Sequence, residues 1–433
     1  FGGKNIAGKR WILTPATSLG WRMSEESWFK NFSLPVDNLK LRAGIGKTAL
    51  TDGLRDYFFL NTLSTVKNVA VLGDGTVVNG LNTSKPANIN LTWSKSLQYN
   101  AGFDLNMWNG LFGMEFDVFY KYLYDMPLSV GSSYPDSFGG YYFGMANVGK
   151  QDHKGFELLL SHTNKIKDFS YKVELTSTYT KRRWLSYPDA VNTPDYLKMT
   201  GKEVGALEGF VALGLYQSEE DIINSAVLPS GKPRPGDIKY LDRNGDGVIT
   251  YEQDRGYVGK SAYPDFTGGF KFYGEWRGFD ISFLWQGSIG RDVALTGIYP
   301  GVGMDNSLFT KTFYHSANTP LYLVENSWTP DNTNAMFPRL SIDLPGNNNA
   351  YSSDFWYRSG DYLRLKSLQI GYNIPAKVLR PVGIGQLRVY VEGQNLLTFS
   401  ELTKYNIDPE QPGVSNGYYP QQRIFAGGIK LTF

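Results

Sequence analysis

The chain has 433 residues and a formal charge of only +2, so it carries no electrostatic footprint for nucleic acid. Its 29 Tyr, 26 Phe, 10 Trp and 48 Gly suit many twisted strands joined by turns better than helices, which Gly and β-branched residues weaken. It contains no Cys, which excludes a disulfide framework, a thiolate metal site and a cysteine nucleophile, and its three His (His153, His162, His315) lack the close spacing of a zinc helix.

The first residues, Phe1-Gly2-Gly3-Lys4, include no initiator Met, basic n-region or apolar h-region, and the expectation is a piece of a longer protein. No stretch approaches the roughly 18 consecutive apolar residues of a transmembrane helix. A membrane, if crossed, is crossed by strands.

Period-two alternation predicts those strands. In chain order they fall near 11–22, 38–48, 95–106, 111–125, 155–163, 169–182, 265–276, 279–290, 361–373, 386–397 and 422–433. In the second, Leu39, Leu41, Ala43 and Ile45 alternate with Lys40, Arg42 and Gly44. In the fourth, Phe112, Met114, Phe116, Val118 and Tyr120 oppose Glu115, Asp117 and Lys121. Phe169, Tyr171, Val173, Leu175 and Tyr179 repeat the pattern, as do Phe270, Phe272 and Trp276, then Phe279, Ile281, Phe283 and Trp285.

A soluble sandwich would also alternate. These strands, however, run to about ten residues, the span of a tilted strand in a bilayer and longer than the globular mean of about five or six. Tight turns at 106–110, 164–168 and 277–278 face one end, and connections of tens of residues, 183–262 the longest, face the other. Short periplasmic turns with long extracellular loops are the bacterial barrel pattern. Trp21, Trp108 and Trp276 fall beside the predicted periplasmic turns, where an aromatic girdle belongs, and the last strand ends on Phe433. The fold class expected is therefore all-β: a transmembrane antiparallel barrel. An odd set of eleven strands cannot close as an ordinary bacterial barrel, but it suits the C-terminal half of one with about 22 strands.

Several segments resemble the SusC/RagA family of TonB-linked outer-membrane proteins: Asn90-Leu91-Thr92-Trp93 running into 94–104; Asn147-Val148-Gly149 through Gly155-Phe156-Glu157; Gly236-Asp237-Ile238-Lys239-Tyr240 leading to Asp242-Arg243-Asn244-Gly245-Asp246-Gly247; Tyr263-Pro264-Asp265-Phe266-Thr267-Gly268-Gly269; Gly360-Asp361-Tyr362-Leu363-Arg364-Leu365-Lys366; and 389–399. They occur in family order across nearly the whole chain. The resemblance implies an importer energised by TonB, embedded in outer-membrane lipid and covered by a SusD-like lipoprotein lid. It implies oligosaccharide or oligopeptide substrates. The signal peptide, extension domain, TonB box and plug of that family find no counterpart in residues 1–433. A plugless adhesion barrel and a soluble carbohydrate-binding β-protein are the competing readings.

Among candidate sites, Asp242, Asn244, Asp246, Val248 and Thr250 have the spacing of an EF-hand-type Ca2+ loop. The closing acid is displaced: position 12 is Gln253, and Asp254 closes the sphere only with a one-residue shift. The competing reading is a polar turn, since Asn-Gly and Asp-Gly are turn formers. Tyr134, Phe138, Tyr141, Tyr142 and Phe143 in one loop, and Tyr299, Phe309 and Phe313 in another, are candidates for substrate or lid contact. Gly46-Lys47-Thr48 imitates the end of a phosphate-binding loop, but Leu41 stands where that motif needs Gly, and the segment is a predicted strand. His162 belongs to the lipid-facing phase beside a turn. No arrangement for catalysis stands out, so no enzyme is expected.

Overall fold

The computed structural model describes residues 11–50, 54, 56–61, 63–83, 86–135, 137, 144–229, 231–295, 321–341, 348–411 and 421–432. Eleven antiparallel strands form one sheet in chain order. They are β1 Ala16–Arg22, β2 Val36–Leu50, β3 Ser94–Met107, β4 Phe112–Ser129, β5 Met145–Ile166, β6 Phe169–Ser186, β7 Phe266–Trp276, β8 Phe279–Ile289, β9 Tyr362–Asn373, β10 Gln386–Ser400 and β11 Ile424–Thr432. Every predicted strand is present, and each pairs with its sequence neighbour. Among the described residues β1 and β11 are paired on one side only. No described helix is long and apolar enough to cross a membrane.

The register sorts the side chains into two walls, because directly opposed residues share a face. One row runs Arg42–Gly102–Asp117–Glu157–Thr178–Thr267–Ser288 from β2 to β8. The next row, on the opposite face, runs Ala43–Ala101–Val118–Phe156–Tyr179–Phe266–Ile289. The first face is polar and the second apolar. Exposed apolar residues such as Leu175, Phe270, Ile370, Val391 and Phe399 lie on the second.

The turns behave as the sequence requires. Arg277 and Gly278 join β7 to β8 with φ of 48° and 89°, the left-handed pair of a tight hairpin. A Cβ on Gly278 would stand 2.8 Å from the Asn373 carbonyl oxygen, so glycine is needed there for space as well as for φ. Arg277 Nε also donates to Asp168 at 2.9 Å, tying this turn to the one between β5 and β6. Trp21, Trp108 and Trp276 are all exposed at this short-turn end.

At two places the fold exceeds the expectation. β4 and β5 continue to Ser129 and Met145, well past the predicted ends, through register shifts between Leu123 and Pro127. A bulge puts two residues against one, which breaks the alternation that marks a strand. The 51–93 connection also contains a hairpin, Leu63–Val71 with Val77–Thr83, that was not anticipated.

The main buried core lies outside the sheet. Phe210, Ile238, Tyr240, Ile249, Leu295, Leu323, Phe337, Trp356 and Leu402 pack together from the three connections 187–265, 290–361 and 401–423. Short strand pairs brace them: Leu207–Gly209 with Gly256–Gly259, Ala212–Leu215 with Ile238–Tyr240, and Asp292–Ala294 with Tyr357–Ser359. The described parts of these three long loops thus form one folded cap at the end opposite the tight turns.

Candidate functional site

The polar wall is laced by ion pairs at three levels. Near the middle, Arg42 reaches Asp104 and Asp117, each at 2.7 Å. Toward the short-turn end, Arg388 Nε donates to Asp280 at 2.8 Å and its Nη2 to Gln369 at 2.7 Å, while Asn373 donates to the same Asp280 at 3.2 Å. At the cap end, Arg364 Nη2 donates to both carboxylate oxygens of Asp408 at 3.0 Å. Arg364 also pairs with Glu410 at 3.1 Å and donates to Thr398 Oγ1 at 2.9 Å. Lys366 holds Glu410 at 2.9 Å, and Gln421 Nε2 donates to Glu410 at 2.8 Å. The Arg364 side chain is only 4% exposed. Two cations on β9 therefore clamp two anions of the β10–β11 connection against the wall. Planar guanidinium suits such bidentate capture of a carboxylate.

The cap is held by buried polar contacts as well as by its apolar core. Asn349 accepts from the Ile238 N–H at 2.8 Å and donates to Asp237 at 2.9 Å. Tyr240 donates to the Asn348 carbonyl at 2.6 Å, and Trp356 Nε1 to the Asn349 carbonyl at 2.8 Å. Burial raises the Asp237 carboxyl above its ordinary pKa, and pushes the Tyr240 hydroxyl well above its own. At the rim, Tyr187, Leu197, Met199, Tyr257, Glu208 and Arg255 line a recess of about 460 Å3.

The acidic loop 242–254 is a network of turns closed on its own backbone. Asp242 accepts from the N–H groups of Gly245 and Gly247, each at 2.7 Å. Asn244 accepts from Asp246 N–H at 3.1 Å, and Asp246 from Val248 N–H at 2.9 Å. Asp254 is fully buried and accepts from Arg243 N–H at 2.8 Å and Thr250 N–H at 2.7 Å. The Asn244 amide nitrogen donates to Asp246 and Gln253, each at 2.9 Å. The donor chemistry is all oxygen, as calcium requires. As arranged, though, the residues do not fit it: Asp254 faces backbone donors, Asn244 turns its NH2 inward, and among the described residues no three His, Cys, Asp or Glu form a group that could hold a metal.

Of the aromatic loop residues, Tyr134 follows the short turn Gly131–Ser133 and is half-buried. Phe138, Tyr141, Tyr142, Phe143, Tyr299, Phe309 and Phe313 lie outside the described residues. His162 stacks on Tyr171 with ring centroids 5.5 Å apart, on the apolar face. Gly46, Lys47 and Thr48 are in the interior of β2, with no strand-to-helix junction to receive a phosphate. Sequence reasoning missed Arg364, Lys366, Asp408 and Glu410 as a unit. Its only signal was two acids flanking Pro409, whose partners lie on another strand.

Residues 1–396 match the family described as TonB dependent receptor-like, beta-barrel. The chain belongs to the TonB-dependent receptor β-barrel family. It is 28% identical to TonB-dependent receptor P3 of Formosa agariphila, over 98% of this chain and 42% of that protein. It is 25% identical to TonB-dependent receptor SusC of Bacteroides thetaiotaomicron, over 98% of this chain and 40% of SusC. The chain thus spans about two-fifths of the length of these curated relatives. In fold it is similar to the RagAB peptide transporter, with a TM-score of 0.70 and 20% identity over 99% of this chain and 44% of that one. Membership places these strands in the bacterial outer membrane, where the apolar wall is the face suited to lipid.

Proposed function

We propose that this chain forms part of the wall of a SusC-like active importer. The observation that carries the reading is the pairing of a continuous ion-paired polar face with an apolar face on the same eleven strands. A polar interior behind a lipid-facing wall is what a plugged or water-filled lumen needs. In this reading further strands complete a barrel of about 22, and a plug fills it. TonB drives the plug, and a SusD-like lipoprotein closes over the extracellular cap. Oligosaccharides or oligopeptides released under that lid pass the Arg364 clamp and descend along the polar wall. The SusC relative and the RagAB neighbour, a peptide transporter by its description, support the importer class without choosing between the two substrates.

The test is uptake by intact cells. Fluorescent oligopeptides and oligosaccharides are supplied to wild-type and deletion strains, with and without a protonophore. The reading expects one substrate class to lose uptake in both treatments, and a surface lipoprotein to co-purify with the wild-type protein. Uptake that survives deletion, or that ignores the protonophore, contradicts it.

A further inference from the structure

The apolar wall has a gap across β6 to β9. On β6, β7, β8 and β9 the register aligns Ser177, Gly268, Gly287 and Leu363 in one lipid-facing row. The rows on either side are bulky: Tyr179, Phe266 and Ile289 toward the cap, and Leu175, Phe270 and Trp285 toward the periplasm. Two adjacent glycines between large side chains leave a trench of about 280 Å3 with an almost wholly apolar lining. The flanking rows are four residues apart, about 13 Å along the strand, and the trench crosses roughly perpendicular to the strands. Because barrel strands tilt by about 35–45°, it slopes into the membrane from the extracellular side.

Beyond its upper row the same face carries three cations, on β5 and β6. Lys154 and Lys181 are paired across β5 and β6, one row beyond Tyr179, and Arg183 follows one row further. Lys181 is held by Asp265 and lies 3.9 Å from Glu203, and Arg183 is held by Asp152, so these two cations are already matched. Lys154 is exposed and has no carboxylate partner among the described residues. An apolar trench beneath cations at the extracellular boundary matches a lipid with an acyl chain and an anionic headgroup.

We infer that this trench binds one acyl chain of an outer-leaflet lipopolysaccharide, whose phosphate meets Lys154. A zwitterionic phospholipid would offer the chain but little net charge to the lysine. The trench lies in the outer half of the membrane, where lipopolysaccharide is the principal lipid.

The probe is lipopolysaccharide itself, compared with phosphatidylethanolamine. The protein is purified in detergent, delipidated, exposed to each lipid and washed, and retained lipid is counted by native mass spectrometry. Heat-modifiable mobility on gels confirms folding of each variant. Wild type is expected to retain about one lipopolysaccharide. Leu363→Trp, which fills the trench from its wall, and Lys154→Glu, which removes the cation, should each reduce retention at least fivefold. Val391→Trp, also exposed on the lipid-facing wall but away from the trench, should leave it unchanged. Equal retention by all four proteins overturns the site, and trench-dependent retention of phosphatidylethanolamine instead overturns the identity of its occupant.

Discussion

Arg364 and Asp408 meet through two hydrogen bonds of 3.0 Å although 44 residues separate them in sequence. Arg364 is on β9 of the sheet and Asp408 in the β10–β11 connection, so the pair fixes the cap to the polar wall. Both side chains are largely withdrawn from water, at 4% and 12% exposure. Breaking one half of such a pair leaves a buried charge and costs about 3–5 kcal/mol. Arg364→Ala should therefore raise hydrogen exchange in 401–411 by two or more orders of magnitude, while the sheet keeps its protection. Removing both partners should cost less than the sum of the single changes. Additive costs would show that the pair is not coupled.

The cap core makes a separate prediction. Trp356 is fully buried among Phe210, Tyr240, Leu295 and Leu402. Trp356→Ala should destabilise the cap by about 3–5 kcal/mol. Because the cap is built from loops, the loss should be local: faster proteolysis within 187–265 with unchanged heat-modifiable mobility of the barrel. A simultaneous loss of both would mean that cap and sheet fold as one unit.

Asp254 concerns the acidic loop. Its buried carboxylate accepts from backbone N–H groups on both sides of the turn, and stranding those donors costs about 1–3 kcal/mol each. Asp254→Ala should expose 242–254 to protease. We propose that hydrogen bonds, rather than a cation, hold this loop closed, so exchange of Ca2+ for chelator should move its melting by less than about a degree. A rise of several degrees on adding Ca2+ would show that Asp242, Asn244 and Asp246 rearrange to bind it.

A pH dependence follows from Asp221. Lys239 stands 2.8 Å from its carboxylate and holds the Asp221 pKa below the ordinary 3.8. A carboxyl whose folded pKa is depressed contributes stability that is present above the unfolded pKa and lost as pH falls through the folded one. The pair is partly exposed, so its contribution is under about 1 kcal/mol. Hydrogen exchange in 219–240 should rise modestly below about pH 4, and Lys239→Met should abolish that step. An unchanged step in the variant would assign it to another group.

Much of this was legible in the sequence because a barrel strand has two unlike environments. Leu39, Leu41 and Ala43 against Lys40 and Arg42 already state which face meets lipid. Left-handed residues such as Arg277 and Gly278 mark the turns. The extensions of β4 and β5 were hidden because the shift near Asp125 breaks the alternation. The cap was hidden for a different reason. Phe210, Trp356 and Leu402 come from three connections with no shared period, and only the folded chain brings them together. Asp408 and Glu410 could not be assigned to Arg364 and Lys366, since nothing in a loop's composition gives its path.

The central claim is that these strands separate lipid from a polar lumen. The absence of Cys makes single-cysteine spin labelling clean. Labels introduced one at a time along β7, at Phe270→Cys, Lys271→Cys, Phe272→Cys and Tyr273→Cys, would be assayed in bilayers for access to oxygen and to a water-soluble nickel chelate. The account predicts strict alternation, with oxygen favoured at 270 and 272 and the chelate at 271 and 273. Equal accessibility at all four positions, or the opposite phase, would contradict it.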